Sequence, residues 1–265
     1  MRSIRPFAAV VAGAIVLLAA ARPAGAAETA TAPTSVEPID YRWQIDIEVG
    51  RAYPASIDIR VPGEGGDDFS LTDDLSSQDD WVGRIQVLYR LNARHRLTAS
   101  GAPLSLDADG QFEAPVTFGD ATFPQGTDME ARHRVLAYRL AWRYLVDPAG
   151  DFQWGLGLTG MVRDTKIELA GGGIEAEESV TDVLPLVNFG LEGRVTEDWW
   201  LVVDGDAIVL PEARHEDVFA GFRRHIGDQS TIRLGYRLIE GGVDTEELYD
   251  IALINSIVGS IAIDF

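Results

Sequence analysis

Arginines that recur at even spacing within otherwise apolar segments are the residues of this 265-residue chain with the clearest chemical potential. Arg84 and Arg90 belong to one such segment, and Arg139 and Arg143 belong to another. Residues two apart on a β-strand face the same side, so each pair would share one face of its strand. Guanidinium groups form bidentate pairs with carboxylates in confined places. The pattern therefore predicts an interior lined with ion pairs.

The strand assignment given below places charges of both signs on the inward face. The predicted set of lumen residues is Asp46, Glu48, Arg84, Arg90, Arg139, Arg143, Arg163, Glu192, Arg194, Asp204, Arg233 and Arg237, with Arg96 and Asp206 on the same face. Two interpretations stay open: a lumen that guides small solutes or selects anions, and a salt-bridged plug. We favour the plug, because small barrels are filled by their own side chains.

The alternative chemistry is that of a lipid-modifying hydrolase, which needs a serine within hydrogen-bond reach of a histidine at the outer rim. His95 and His225 are predicted to lie beside short turns, at the wrong end for this chemistry. His215 is predicted in an outer loop and His133 on the inward face, and the chain has no Gly-x-Ser-x-Gly motif. We therefore predict no catalytic residue and no cofactor, and keep the lipid A- or phospholipid-modifying enzyme as the alternative.

The segment from Gly63 to Asp80 is acidic and contains no basic residue. Its carboxylates do not have the spacing of an EF-hand, so they indicate a Ca²⁺ or Mg²⁺ site only weakly, and we predict no metal site. The formal net charge of −20 argues against nucleic acid as a partner. We also hypothesise that the same acids contact the divalent cations that bridge lipopolysaccharide molecules.

Strand alternation positions these charges. Ten segments alternate apolar and polar residues, and they begin near Tyr41, Trp81, His95, Asp128, Phe152, Val183, Trp199, Asp217, Thr231 and Ile251. Short turns alternate with longer loops, including a loop after Gly171, and aromatic residues fall near strand ends, as in outer-membrane barrels. The prediction is an all-β protein, a closed antiparallel transmembrane β-barrel of ten strands, with eight or twelve as alternatives. A soluble sandwich explains the arginines at strand centres less well.

The N-terminus predicts secretion. Residues 1–26 have the basic, apolar and small-residue regions of a cleaved signal peptide, 27–40 form a flexible segment rich in Thr, Ala and Pro, and 41–265 form the barrel domain. The chain has no cysteine, which excludes disulfides and cysteine-linked lipid anchors. We expect the protein in the cell outer membrane of a Gram-negative bacterium.

The last strand has an apolar face of Phe265, Ile263 and Ile261 that ends on an aromatic residue. This ending resembles the signal read by the outer-membrane insertion machinery. Three further segments, Phe69 to Leu75, Asn92 to Leu97 and Phe118 to Thr127, resemble a largely uncharacterised group of small Gram-negative barrels near the OmpA/OmpW-like class. The resemblance implies the barrel fold, with the insertion machinery, outer-membrane lipids and lipopolysaccharide as partners. It supplies no catalytic residue.

These observations together predict a non-enzymatic outer-membrane barrel. Its function would be that of a structural surface protein or of a porin-like, narrow channel for small solutes, with an interior lined by arginines and acids.

Overall fold

The computed structural model describes residues 41–209 and 213–265; the predicted signal peptide and the segment 27–40 lie outside the described residues. The strands are β1 (Trp43–Arg60), β2 (Phe69–Ser70), β3 (Ser76–Ser77), β4 (Asp80–Arg90), β5 (His95–Gln111), β6 (Val116–Phe118), β7 (Ala121–Phe123), β8 (Asp128–Val146), β9 (Phe152–Gly171), β10 (Ile174–Arg194), β11 (Trp199–Val209), β12 (Ala213–His225), β13 (Ser230–Asp244) and β14 (Tyr249–Asp264). In this part of the chain, no helix is long and apolar enough to cross a membrane.

Ten of these strands form one closed antiparallel barrel. Each long strand pairs with the next, in the order β1, β4, β5, β8, β9, β10, β11, β12, β13 and β14. The last strand then pairs with the first, from Gln44 opposite Asp264 to Arg60 opposite Tyr249. Closure leaves no unpaired edge among these strands, as a barrel in lipid requires. The predicted fold class and the predicted number of ten strands are confirmed.

An apolar belt surrounds the outside of the barrel. Alternate residues point outward, and large side chains such as Leu140, Leu158 and Val183 are 63%, 64% and 72% exposed. Aromatic residues lie near the end that carries the short turns, here called the turn end, where Trp43 contacts Tyr89 with ring centroids 4.6 Å apart. The opposite end is called the loop end. An exposed apolar belt with an aromatic border is suited to lipid.

Three strands rise above this belt at the loop end. Strands β8, β9 and β10 have 19, 20 and 21 residues, whereas about 9–11 residues cross a bilayer. The predicted long loop after Gly171 is wrong: β9 and β10 continue as a hairpin whose turn holds Gly172 and Gly173 at positive φ. Exposed acids such as Glu175 and Glu177 made this part of β10 resemble a loop, although they occupy the outward positions of a strand.

An apolar cap fills the interior at the loop end. The register of β1 shifts between Pro54 and Ser56, which reverses the facing of the residues beyond it. Ile57 and Ile59 therefore point inward and are buried. They pack in one cluster with inward side chains of other strands and with residues of the segments that carry β2, β6 and β7; among its members are Phe69, Leu106, Phe118, Phe123, Ile167, Leu169 and Ile254.

Candidate functional site: the charged lumen

Below the cap, the barrel interior is crossed by a group of buried charges centred on Asp217. This carboxylate is 0% exposed and projects from β12. Arg84 and Arg139 each donate a hydrogen bond to its Oδ2 at 2.5 Å, and Arg237 donates to its Oδ1 at 2.6 Å. Because the three arginines come from β4, β8 and β13, they connect distant parts of the barrel wall. We call these four residues the Asp217 girdle.

Further partners compensate the excess positive charge of the girdle. Glu48 accepts hydrogen bonds from Arg237 Nε at 2.9 Å and from Arg237 Nη2 at 2.8 Å, a bidentate geometry that strengthens the pair. Arg139 lies 3.6 Å from Asp206 and 2.9 Å from His215 Nε2. Asp206 in turn accepts a hydrogen bond from Thr159 at 2.6 Å. Buried charges are tolerated when they are paired and hydrogen-bonded in this way.

On the turn-end side of the girdle, three separate ion pairs line the wall. Arg90 pairs with Asp264 at 2.8 Å, Arg223 with Glu192 at 2.5 Å, and Arg233 with Asp204 at 2.5 Å. The guanidinium carbon of Arg233 also lies 4.1 Å from the centroid of the Phe219 ring, a cation–π geometry.

On the loop-end side, two further pairs of side chains lie between the girdle and the cap. Arg163 contacts Asp182 at 2.5 Å, and His133 Nε2 lies 3.1 Å from Asp250 Oδ2. A cavity of about 70 Å³ in this region is lined by His133, His215 and several girdle residues.

A larger cavity, the vestibule, lies between the girdle and the turn end. Its volume is about 180 Å³, and eight arginines and six carboxylates line it. The exposure of the ion pairs increases toward the turn end: the Arg237 side chain is 5% exposed, whereas Arg90 and Arg223 are each 18% exposed. Because the cap fills the opposite end, solvent reaches these residues from the turn end.

Most predicted lumen residues face the interior, and one does not. Asp46 accepts a hydrogen bond from Ser260 at 3.2 Å, and Arg143 donates to Asn188 Oδ1 at 2.5 Å. Arg194 was predicted inside, but its side chain is 42% exposed and pairs with Asp151 at 3.3 Å. As the last residue of β10, it turns back to donate to two carbonyl groups of its own turn instead of entering the lumen.

Sequence reasoning missed the residue at the centre of the girdle. Asp217 was predicted to be the first residue of its strand, and His215 was predicted in an outer loop. The structure places both inside β12, facing inward and buried. The available signal was the two-residue spacing of His215, Asp217 and Phe219. This spacing extends the inward face of the strand toward its N-terminus, beyond the predicted start of the strand.

The histidines have no arrangement typical of a hydrolase. Within the described residues, neither His133 nor His215 makes a hydrogen bond to a serine; their partners are Asp250 and Arg139. His95 accepts a hydrogen bond from Trp142 at 3.2 Å, and His225 lies 3.1 Å from the Thr231 hydroxyl. In residues 41–209 and 213–265, no group of three or more acidic or histidine side chains is placed to hold a metal ion.

A second charged region lies on the outer surface above the belt. The Lys166 ammonium group is 2.6 Å from Glu177 and 3.1 Å from Glu168. These hydrogen bonds raise the pKa of Lys166, first through Glu177 and then through Glu168. The hydrogen bond from Lys166 lowers the pKa of Glu168. Solvent surrounds this cluster, so it shapes the surface and contributes little to stability.

The fold defines the class of this chain: it is a closed ten-stranded β-barrel of the outer-membrane type, with a charged lumen and an apolar cap. No protein-family model matches the chain, and no curated protein matches it by sequence. The named group of small barrels therefore stays a resemblance, while the outer-membrane barrel fold is confirmed.

Solved structures share the fold at low sequence identity. The outer membrane protease OmpT from Escherichia coli aligns with a TM-score of 0.54 at 12% identity, over 87% of this chain and 100% of that one. An outer membrane channel from Pseudomonas putida F1 has a TM-score of 0.44 at 9% identity, over 89% and 100%. The Ail attachment invasion locus protein of Yersinia pestis has a TM-score of 0.40 at 9% identity, over 84% and 99%. At 12% identity, the alignment with OmpT shows the fold alone.

Proposed function

We propose that the protein is a non-enzymatic barrel of the bacterial outer membrane that acts as a structural surface protein and does not conduct solutes. The observation that carries this proposal is the double closure of the lumen. The Asp217 girdle crosses the interior with three buried arginines that donate to one buried carboxylate, and the apolar cap fills the loop end above it.

The outer surface supports the location and the partners in this proposal. The apolar belt provides the lipid-facing surface, and the acidic extension of β9 and β10 projects beyond it. Lipopolysaccharide and its divalent ions are the proposed neighbours of this extension. The terminal strand, ending at Phe265, is the proposed recognition element for the insertion machinery. Secretion through the inner membrane by a cleaved signal peptide is part of the same proposal.

The two alternatives have less support. A solute channel requires a continuous polar path, which the cap and the girdle interrupt. A lipid-modifying enzyme requires a serine beside a histidine on the lipid-facing surface. His133 and His215 face the interior and are bonded to other groups in the described residues.

Planar-bilayer recording tests the proposal. Purified, folded protein should give no conductance steps, while a general porin reconstituted in parallel provides the positive control. A variant in which Phe118 and Phe123 are both replaced by Ser would loosen the cap but keep the girdle, so it should also give no conductance steps. Steps in the unaltered protein would favour the channel instead. A changed lipid profile in membranes that contain the protein would favour the enzyme.

A further inference from the structure

Three arginines stand side by side on the inner wall of the vestibule. Arg90 on β4 is opposite Arg96 on β5, and Arg96 is opposite Arg143 on β8. Directly opposed residues of antiparallel strands have Cβ atoms about 4.5–5.5 Å apart, and like charges in such positions repel each other. A row of this kind is therefore unfavourable unless negative charge compensates it. We call these residues the arginine row.

Among the described residues, only one end of the row has a carboxylate within 4.0 Å. Arg90 pairs with Asp264. Within the described residues, no carboxylate lies within 4.0 Å of the Arg96 or Arg143 guanidinium group, and the Arg96 side chain has no hydrogen-bond partner. Arg143 bonds only to neutral oxygens, those of Asn188 at 2.5 Å and of the Phe189 backbone at 2.8 Å.

The other acids of the vestibule are already engaged. Asp204 and Glu192 are paired with arginines outside the row, and Asp217 is held by the girdle. Asp206 lies 3.6 Å from Arg139, and Asp46 is bonded to Ser260. The wall carries eight arginines against six carboxylates. Glu48, which pairs with Arg237, reduces this excess to one positive charge. Among the described residues, Arg96 and Arg143 are therefore the two arginines of this wall that have no carboxylate within 4.0 Å.

The local backbone provides room for these side chains. Gly157 is opposite Arg143 in the ladder between β8 and β9. The Arg143 guanidinium lies over Gly190, where a Cβ atom would approach its Nη1. The cavity of about 180 Å³ beside them is large enough for a small oxyanion and its remaining water.

We propose that the arginine row binds a small oxyanion that enters the vestibule from the turn end. Guanidinium groups match the oxygens of phosphate and sulfate bidentately, and such an anion would supply the negatively charged partner that Arg96 and Arg143 lack within 4.0 Å in the described part of the chain. Phosphate, sulfate or a small phosphorylated solute has this chemistry. A lipid headgroup shares it, but the barrel wall separates the row from the lipid-facing belt. The site is a blind pocket and does not require conduction.

Isothermal titration of the folded protein with inorganic phosphate and sulfate, at low ionic strength in an uncharged detergent, tests the proposal. Both anions should bind. Arg96→Gln should weaken binding at least about tenfold, since one charge-assisted hydrogen bond contributes roughly 1.5–3 kcal/mol. Arg96→Lys should retain intermediate affinity. Arg194→Gln removes an exposed arginine at the same end of the barrel and should bind as the unaltered protein does.

A thermal melt, with heat-modifiable gel migration to verify folding, provides the second readout. Sulfate should raise the melting temperature of the unaltered protein more than that of Arg96→Gln. Absence of phosphate and sulfate binding would overturn the proposal, including when phosphatidylglycerol in mixed micelles binds in their place. Equal weakening by Arg194→Gln and Arg96→Gln would overturn it as well. Bilayer conductance is measured separately, so a conducting lumen would refute the proposed function without refuting this site.

Discussion

Replacing Asp217 by Asn should destabilise the barrel strongly. The amide preserves the shape of the side chain but removes the negative charge that three buried guanidinium groups share. Removing one partner of a buried ion pair typically costs about 3–5 kcal/mol, because an uncompensated charge stays buried. Arg237 keeps Glu48 and Arg139 keeps Asp206 at 3.6 Å, whereas Arg84 has no other carboxylate partner among the described residues. We therefore expect a loss of about 3 kcal/mol or more.

Urea titration of the folded protein in detergent micelles, followed by the fluorescence of its six tryptophans, measures this loss. Adding Arg84→Gln to Asp217→Asn should restore at least about 1 kcal/mol, since it removes the least compensated charge. Asp68→Asn is the control, because Asp68 pairs with Arg60 at the surface and its side chain is 75% exposed. Its effect should be below about 1 kcal/mol. Equal stability of Asp217→Asn and the unaltered protein would refute our account of the girdle.

Three further predictions follow from other parts of the barrel. Deletion of Phe265 should impair assembly in the outer membrane while leaving secretion intact, and normal heat-modifiable migration on a gel would contradict this. Gly157→Ala should destabilise the barrel by about 1–3 kcal/mol in urea titration, because its Cβ would overlap the backbone of the facing strand. Gly160→Ala, with open space around its Cβ, should be neutral within about 0.5 kcal/mol. In NMR titration Glu168 should show a pKa below 4.5, and this pKa should rise toward 4.5 in Lys166→Met. The contribution of Glu168 to stability is present above the pKa that this group has in the unfolded chain. It is lost as the pH falls through the pKa of the folded protein.

The alternation of residue types, the alternating loop lengths and the aromatic strand ends together predicted the closed barrel and its ten strands. Period-two patterns persist wherever one face meets lipid and the other meets the lumen, and that condition holds for residues within the belt. The facing of Arg84, Arg139 and Arg237 followed from the same parity. Their common partner did not, because parity gives the facing of a residue and contains no information about which strands lie across the lumen.

The loop end was predicted less well, for a physical reason. Above the belt, outward residues meet water instead of lipid. Outward positions there are therefore polar, as Glu175 and Glu177 are, and lack the apolar outward face that marks a membrane strand. The interior itself becomes apolar there, because Ile167 and Leu169 continue the inward face of β9 and the shift beyond Pro54 turns Ile57 and Ile59 inward. Both changes reverse the pattern used for the membrane segments. The sequence around Pro54 indicated an irregularity, but it did not indicate on which side the next residues would lie.

The cap also connects segments that lie far apart in the sequence. It joins Phe69 and Leu106, in the first half of the chain, to Ile254 in the final strand. Arg237 meets Glu48 across 189 positions of sequence. Contacts of such high sequence separation carry a large loop-closure entropy, which slows their formation. The core and the seam between β1 and β14 are held by contacts of this same long-range kind, so we expect both to form late in folding.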